Sequence, residues 1–386
     1  MNLEILIRYG ELALKSPSVR KYMEKKLANN IDILLRKHNI QNTEVQLKRA
    51  WGRLIIIFNE SITSIENQTI EQITALLSTY GIGITSFSFA IKTSAELDTI
   101  KQIALEIAQK NLKSNTSFAV RARRIGKHDY SSKDLECLVG EIIFESLAEK
   151  RNLTVNLTNP DYTLFIEVKD EFAYLFDNKI PGFGGLPQGT HGVIGAIFRG
   201  SIEDALAAFL LAKRGSIITP ILFEVHNDKA SNLKSLEEQA SYFEKLQPKK
   251  TLRYFKINFR EIIERVGLDH LKCSICDEMC TKIVCNLLKK QSYNGIALGN
   301  AETALIDRKI ITSYPNIDQP IYYPLISISK NNVHHPFNEN FKSRFCLDVC
   351  PGYNNEKKKN MKSLSQDEIT LIVTEITSSL ISTNKT

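Results

Sequence analysis

The stretch from Val193 to Val225 leaves little choice of fold. An apolar run, Val193-Ile194-Gly195-Ala196-Ile197-Phe198, ends in the turn Arg199-Gly200-Ser201. A helical segment from Ile202 to Arg214 follows, with Glu203 and Asp204 in its first turn, Lys213 and Arg214 in its last, and Gly215 just beyond. Carboxylates at the start and cations at the end complement the helix dipole, and a glycine past the last turn is a common stop. A second apolar run, Ile217 to Val225, comes next. Strand, loop, helix and strand in this order predict the unit of a doubly wound parallel sheet. The loop after the first strand of such a unit, at a helix N-terminus, is where nucleotides usually bind.

A chain of 386 residues holds two or three domains with ample core. Hydrophobic content of 43% and charged content of 24% belong to a soluble globular protein. No run of eighteen apolar residues predicts a membrane span. The opening Met1-Asn2-Leu3-Glu4-Ile5-Leu6-Ile7-Arg8 reads as a strand, without the basic region and cleavage site of a leader, so a cytoplasmic location is expected. A net charge of +7 suits a polyanionic partner only where the charge is clustered. Seven cysteines in an intracellular chain do not make a disulfide scaffold, and six of them fall between Cys273 and Cys350.

Ahead of the parallel unit, residues 1–60 read as a small α+β domain in the order β-α-β-β, and residues 61–180 as a second α+β block. The glycine-rich segment 181–192 reads as a linker, 193–353 as the α/β domain, and 354–386 as a basic tail with a final helix from Gln366 to Leu380.

Between Phe118 and Lys133 stand Arg121, Arg123, Arg124, Lys127 and Lys133, with Asp129 as the only acid and His128 and Tyr130 among the charges. Two-residue alternation puts Arg121 and Arg123 on one strand face. Guanidinium forks match phosphate oxygens, and an aromatic ring can stack on an unpaired base. The competing reading is a solvated, charged strand end.

The run Phe118-Ala119-Val120-Arg121-Ala122-Arg123-Arg124-Ile125-Gly126-Lys127-His128 resembles the signature of the THUMP domain, an RNA-binding module, as does the turn Asn159-Pro160-Asp161. Phe183-Gly184-Gly185-Leu186-Pro187-Gln188-Gly189-Thr190 resembles the linker of tRNA 4-thiouridine synthetases, and Arg8-Tyr9-Gly10-Glu11-Leu12-Ala13-Leu14-Lys15 their opening. The resemblance covers roughly residues 1 to 350. It implies a ferredoxin-like N-terminal domain, a THUMP domain, and a doubly wound PP-loop domain of the adenine nucleotide alpha hydrolase type. It also implies the family's reaction: ATP, with Mg, adenylates uridine eight of tRNA, and sulfur then replaces O4. The partners implied are tRNA and a sulfur donor, either sulfide or a sulfur-carrier protein; a homodimer is compatible with the chain. The chain ends too early for the rhodanese domain of some bacterial members, so the archaeal type is expected. By this resemblance the RNA-binding residues are Arg121, Arg123, Arg124, Lys127, His128 and Lys133.

Family members carry Ser-Gly-Gly-x-Asp-Ser at the nucleotide loop. Here Arg199, Gly200, Ser201, Ile202, Glu203 and Asp204 fill those positions, and only Gly200 is identical. Ser201 gives up the conformational freedom of glycine, and Asp204 adds a carboxylate beside a seat meant for anions. Arg199 offers donors that offset part of this. The pocket residues are then Phe198, Arg199, Gly200, Ser201, Glu203 and Gly299; the competing reading is a vestigial loop that keeps only the fold. At the late Pro-Leu-x-x-x-Asp-Lys segment, Lys330 matches the lysine, which would stabilise the adenylated uridine.

Cys273, Cys276 and Cys280 fall within a 60° sector of a helix at about 100° per residue, and Cys346 and Cys350 follow later. Cys285 points elsewhere and reads as packing, as does Cys137. Clustered thiolates suit a soft metal or an iron–sulfur cluster. Archaeal-type relatives carry an iron–sulfur cluster on such a CxxC pair and one late cysteine, so Cys273, Cys276 and either Cys346 or Cys350 are the expected ligands and sulfur-handling residues. Structural zinc, a persulfide relay and inert buried thiols stay open beside the cluster. His334 and His335 read as loop histidines. A tRNA-binding protein that keeps the fold and a metal without ATP turnover is the alternative to the enzyme.

Overall fold

The computed structural model describes residues 2–40, 43–48, 52–58, 67–224, 229–248, 254–259, 273–288, 293–299, 319–326, 328, 333–337 and 364–383. The chain divides into two units, Met1–Gly184 and Gly185–Thr386.

In the first unit, β1 (Asn2–Arg8), α1 (Pro17–Lys37), β2 (Thr43–Lys48), β3 (Arg53–Phe58), α2 (Asn67–Tyr80) and β4 (Ser86–Ser94) come first in the chain. Next are α3 (Leu97–Asn111), β5 (Ser117–Ile125), α4 (Ser132–Arg151), β6 (Thr154–Val155), β7 (Tyr162–Lys169), β8 (Phe172–Phe176) and β9 (Ile180–Pro181). The strands form one sheet in the order β2-β3-β1-β4-β8-β7-β5-β6, with β9 against β4. β4 runs antiparallel to β1 from Asn2↔Lys92 to Arg8↔Ser86. The first α+β motif therefore closes with β4 as β-α-β-β-α-β, whereas the sequence reading ended it at residue 60. The reason is long-range pairing: β4 meets β1, which no local pattern near residue 60 announces.

Period-two alternation decides what each face of this sheet meets. Leu164, Ile166 and Val168 of β7 pack with Ile103 of α3 and Val139 and Ile143 of α4. Their neighbours Phe165 and Glu167 take the other face, where Leu6, Ile55, Ala90, Tyr174 and Phe176 form a cluster without helix residues. α4 is fixed at its start by a capping box between Ser131 and Asp134, worth about 1 kcal/mol, and ends at Asn152 in the left-handed conformation. The Asn159-Pro160-Asp161 turn has a mechanical role: Asp161 accepts from both the backbone N–H and the hydroxyl of Ser117 at 2.8 and 2.6 Å, tying the starts of β5 and β7 together.

The second unit contains β10 (His191–Phe198), α5 (Ile202–Lys213), β11 (Ser216–Phe223), α6 (Lys229–Leu246) and β12 (Phe255–Ile257). It continues with α7 (Cys273–Leu288), β13 (Ile296–Ala297), β14 (Ile321–Tyr322) and α8 (Gln366–Thr383). Its strands are parallel in the order β12-β11-β10-β13-β14. The chain winds one way from β10 to β12 and the other from β13 to β14. The ends of β10 and β13 thus flank the switch point, where a doubly wound sheet opens a crevice. The final helix is not a loose tail: Ile369 and Val373 sit in the same core as Met279, Ile283 and Val284 of α7. Among the described residues no helix is long and apolar enough to cross a membrane.

Candidate functional site

At the switch point the loop after β10 closes on itself. Gly200 takes a φ of +97° and lets the chain turn from strand to helix. Ser201 is the N-cap of α5, its hydroxyl accepting from the Asp204 N–H at 3.1 Å, and its carbonyl accepts from Gln239 Nε2 at 3.3 Å. The Asp204 carboxylate accepts from the Arg199 backbone N–H at 2.9 Å and from Arg199 Nη2 at 3.1 Å. Both side chains are buried, at 3% and 0% exposure. Glu203 is half-buried, and Gly299, after β13, lies against the first turn of α5.

The loop is therefore already bonded internally. An anion at a helix N-terminus needs free N–H groups, and here Ser201 Oγ takes that of Asp204 while the Asp204 carboxylate takes that of Arg199. The guanidinium expected to offset the extra carboxylate is turned onto that carboxylate, because an unpaired Asp204 at this depth would be far more costly. Phe198 brings only its backbone to the loop: its ring is fully buried 5.5 Å from that of Phe243.

Gly299 is held to glycine by contact. A Cβ there would lie 2.5 Å from the Asp204 nitrogen and 2.6 Å from Asp204 Oδ1. We expect Gly299→Ala to destabilise the second unit by about 1–3 kcal/mol, the usual range for overpacking, read as a lower urea midpoint at unchanged slope.

Cys273 and Cys276 stand one turn apart at the start of α7, where the structure describes the helix backbone. Cys280 and Cys285 are both buried in the core that α7 shares with the sheet, so packing accounts for both. Glu278, just after the CxxC pair, is neutralised by Lys282 at 2.8 Å. Cys137 is exposed on α4, against the expectation that it packs; α4 turns Leu135 and Val139 inward instead. Among the described residues no three His, Cys, Asp or Glu side chains gather as a metal site. Cys346, Cys350 and Lys330 lie outside the described residues. His334 is exposed, and His335 accepts from the Phe337 N–H at 3.1 Å and stacks on its ring.

In the first unit the basic turn divides into bound and open members. Arg121 donates to the Leu157 carbonyl, Arg124 to the Gly126 carbonyl at 2.7 Å, and Lys133 pairs with Glu136 at 3.7 Å. His128 stacks on Tyr130, whose hydroxyl donates to the Ala95 carbonyl at 2.6 Å, so that ring is committed to holding the turn. Arg123 and Lys127 are exposed and make no hydrogen bond or ion pair among the described residues. They are the two with donors to give. Arg121 and Arg123 share a face, opposite Phe165 and Glu167 in the β5–β7 register.

Sequence reasoning missed a second basic group. Glu167 accepts from Arg8 at 3.1 Å and Arg53 at 3.3 Å, and Lys179 Nζ lies 3.7 Å from the centre of the Phe165 ring. The opening Arg8-Tyr9 was the available signal. Tyr9 turns the other way and donates to Glu24 at 2.6 Å; burial and that carboxylate push its hydroxyl up to about 12.

Residues 4–88 match the ThiI ferredoxin-like domain, 94–177 the THUMP domain, and 189–337 the family described as thiamine biosynthesis protein (ThiI). A probable tRNA sulfurtransferase of Methanosarcina mazei is 31% identical over 340 residues, covering 85% of this chain and 80% of that protein. One from Methanocaldococcus jannaschii is 28% identical over 344 residues, covering 86% of each. Among solved structures, PH1313 from Pyrococcus horikoshii aligns with a TM-score of 0.62 at 27% identity, over 86% of this chain and 96% of that one. A 4-thiouridine synthetase–RNA complex with bound ATP aligns with a TM-score of 0.69 at 20% identity, over 99% and 96%.

Proposed function

The chain belongs to the tRNA sulfurtransferase family, and from that premise we propose that it thiolates tRNA, replacing O4 of uridine eight by sulfur. The observation that carries the proposal is the 31% identity to a probable tRNA sulfurtransferase along 85% of the chain, with ferredoxin-like, THUMP and ThiI segments in that order. The first unit holds the RNA, with Arg123 and Lys127 supplying phosphate contacts. The second activates the base. Uridine O4 attacks the α-phosphorus of ATP and pyrophosphate leaves; a sulfur nucleophile then adds at C4 and AMP departs with the oxygen. Lys330 stabilises the adenylated uridine, and the reaction takes place in the cytoplasm with tRNA.

Cys273, Cys276 and either Cys346 or Cys350 handle the sulfur. Their thiolates suit iron, and an iron–sulfur cluster held there would supply an iron lacking a protein ligand as the seat for incoming sulfide. The loop at Arg199–Asp204 sets a condition on ATP: its phosphates and the Asp204 carboxylate compete for the same donors.

The reading is tested by incubating anaerobically purified protein with tRNA, ATP and sulfide. AMP and thiolated uridine are expected in equal amounts; tRNA recovered without sulfur, and no AMP, would overturn it. Arg123→Ala is expected to weaken tRNA binding roughly three- to tenfold and to lower the salt slope by about one, as loss of one phosphate contact does. A filter-binding series from low to high salt reads both.

A further inference from the structure

The stretch that carries Lys330 has its two ends on opposite faces of the parallel sheet. Ile197 and Phe198 are neighbours on β10, so their side chains leave on opposite sides. Ile197 joins the core built with Met279, Ile283 and Val284 of α7. The Phe198 ring instead meets Phe243 of α6 at 5.5 Å, edge to face. Tyr323, directly after β14, packs against the α7 core. Phe337 is buried on the other side, in a box of rings from α5 and α6: Tyr242 at 5.0 Å, Phe209 at 6.0 Å and Phe243 at 6.3 Å. The register sets Tyr322 beside Ala297 and Ala297 beside Ala196, so β14 ends at the same end of the sheet as the Arg199–Asp204 loop.

Two contacts join this box to the nucleotide loop. Ring follows ring from Phe337 to Phe243 to Phe198, and Phe198 is the last residue before Arg199. One turn before Phe243 on α6, the fully buried Gln239 donates from Nε2 to the Ser201 carbonyl at 3.3 Å. The anchor is also shaped locally. His335 Nδ1 accepts from the Phe337 N–H at 3.1 Å and its ring stacks on that of Phe337 at 5.6 Å, while His334 stays exposed. Aromatic pairs prefer edge-to-face or offset geometries, so the box fixes where the Phe337 ring sits as well as burying it.

We propose that Phe337 is a positioning residue for the reaction: seated between α5 and α6, it holds the stretch after β14 so that Lys330 meets the adenylated uridine beside the Arg199–Asp204 loop. The inference rests on the sulfurtransferase reading above and on the role given there to Lys330. Phe337 acts through that lysine and not on the substrate. Its removal leaves α5 and α6 in contact through Phe209 and Tyr242 at 6.4 Å, but takes away the seat at the far end of the stretch. A displacement of about 1 Å at a reacting centre costs on the order of 100-fold in rate. The loss therefore falls on turnover, not on tRNA or ATP affinity.

Phe337→Ala and the milder Phe337→Leu test this in full-length protein, with Lys330→Ala as the reference and Phe337→Ala/Lys330→Ala closing the cycle. AMP and thiolated uridine are followed anaerobically with tRNA, ATP and sulfide, on variants that unfold cooperatively above the assay temperature. Where the alanine variant does not fold, the leucine variant takes its place in the cycle. Expected for Phe337→Ala is a kcat lower by roughly 10–100-fold, with the KM for ATP and the tRNA affinity within about twofold of wild type. Phe337→Leu should lose less. The double variant should be no slower than Lys330→Ala alone, since residues that act through one another are not additive. General loosening of the fold does not give that result. Wild-type kcat in the folded Phe337 variant would overturn the anchor. Losses that add in the double variant would also overturn it, by separating Phe337 from Lys330. So would full activity in Lys330→Ala, with the sulfurtransferase reading left intact. Wild-type protein that forms neither AMP nor thiolated uridine would overturn that reading itself.

Discussion

Cys273→Ser and Cys276→Ser are each expected to abolish tRNA thiolation while leaving tRNA affinity at the wild-type value. Loss of an outer-shell partner already lowers metal affinity or activity by roughly 10–100-fold, so loss of a ligand should exceed that. Serine is a conservative replacement in the first turn of α7, where both positions sit. The companion measurement is iron, zinc and sulfide counted per chain under anaerobic conditions. A cluster predicts iron and sulfide in the wild-type protein and neither in the variants; a structural zinc predicts zinc alone; a persulfide relay predicts no metal, with adenylated tRNA accumulating in the variant. Wild-type thiolation by either variant would remove the cysteine pair from the mechanism. Cys280→Ser is the control. Cys280 is fully buried in the core, so its replacement should lower stability rather than chemistry.

The architecture was legible where period and punctuation agreed. The Val193–Gly215 stretch contained a strand, a capped helix and a stop glycine, and β10, α5 and the turn to β11 follow that pattern, with β10 starting two residues earlier, at His191, and α5 ending one residue earlier, at Lys213. The end of the first motif was less legible, because the pairing of β4 with β1, from Asn2↔Lys92 to Arg8↔Ser86, is far too long-range to leave a local trace. The site was legible by type rather than by partner. Arg199 and Asp204 could each be seen as odd for a nucleotide loop, but their separation in the sequence does not say that one side chain ends on the other. The same holds for the basic turn: charge alone could not distinguish Arg123, which is open, from Arg124, which bonds Gly126. The cluster at Glu167 was invisible for a stronger reason. Its arginines come from β1 and β3 and its carboxylate from β7, brought together only when the sheet forms.

The Arg199–Asp204 pair makes the second large prediction, and the two halves of it have opposite signs. Each single change, Arg199→Ala or Asp204→Ala, strands a charge at a site where the partner is almost wholly buried, and should destabilise by about 3–5 kcal/mol. Removing both charges together should cost less than the sum, because no ion is left uncompensated; denaturant titration of the four proteins gives the coupling directly. The functional half concerns ATP. Restoring the family's serines in the double variant Arg199→Ser/Asp204→Ser frees the Arg199 N–H and removes a carboxylate from the N-terminus of α5. A charge at a helix end contributes up to about 2 kcal/mol, so lifting that repulsion should tighten ATP binding by roughly tenfold. Thus a less stable protein should bind its nucleotide better, a combination that nonspecific damage to the fold does not produce. Equilibrium dialysis with ATP, run on variants checked for cooperative unfolding, decides it. Unchanged or weaker ATP binding by a folded double variant would mean that Asp204 does not occupy the phosphate seat.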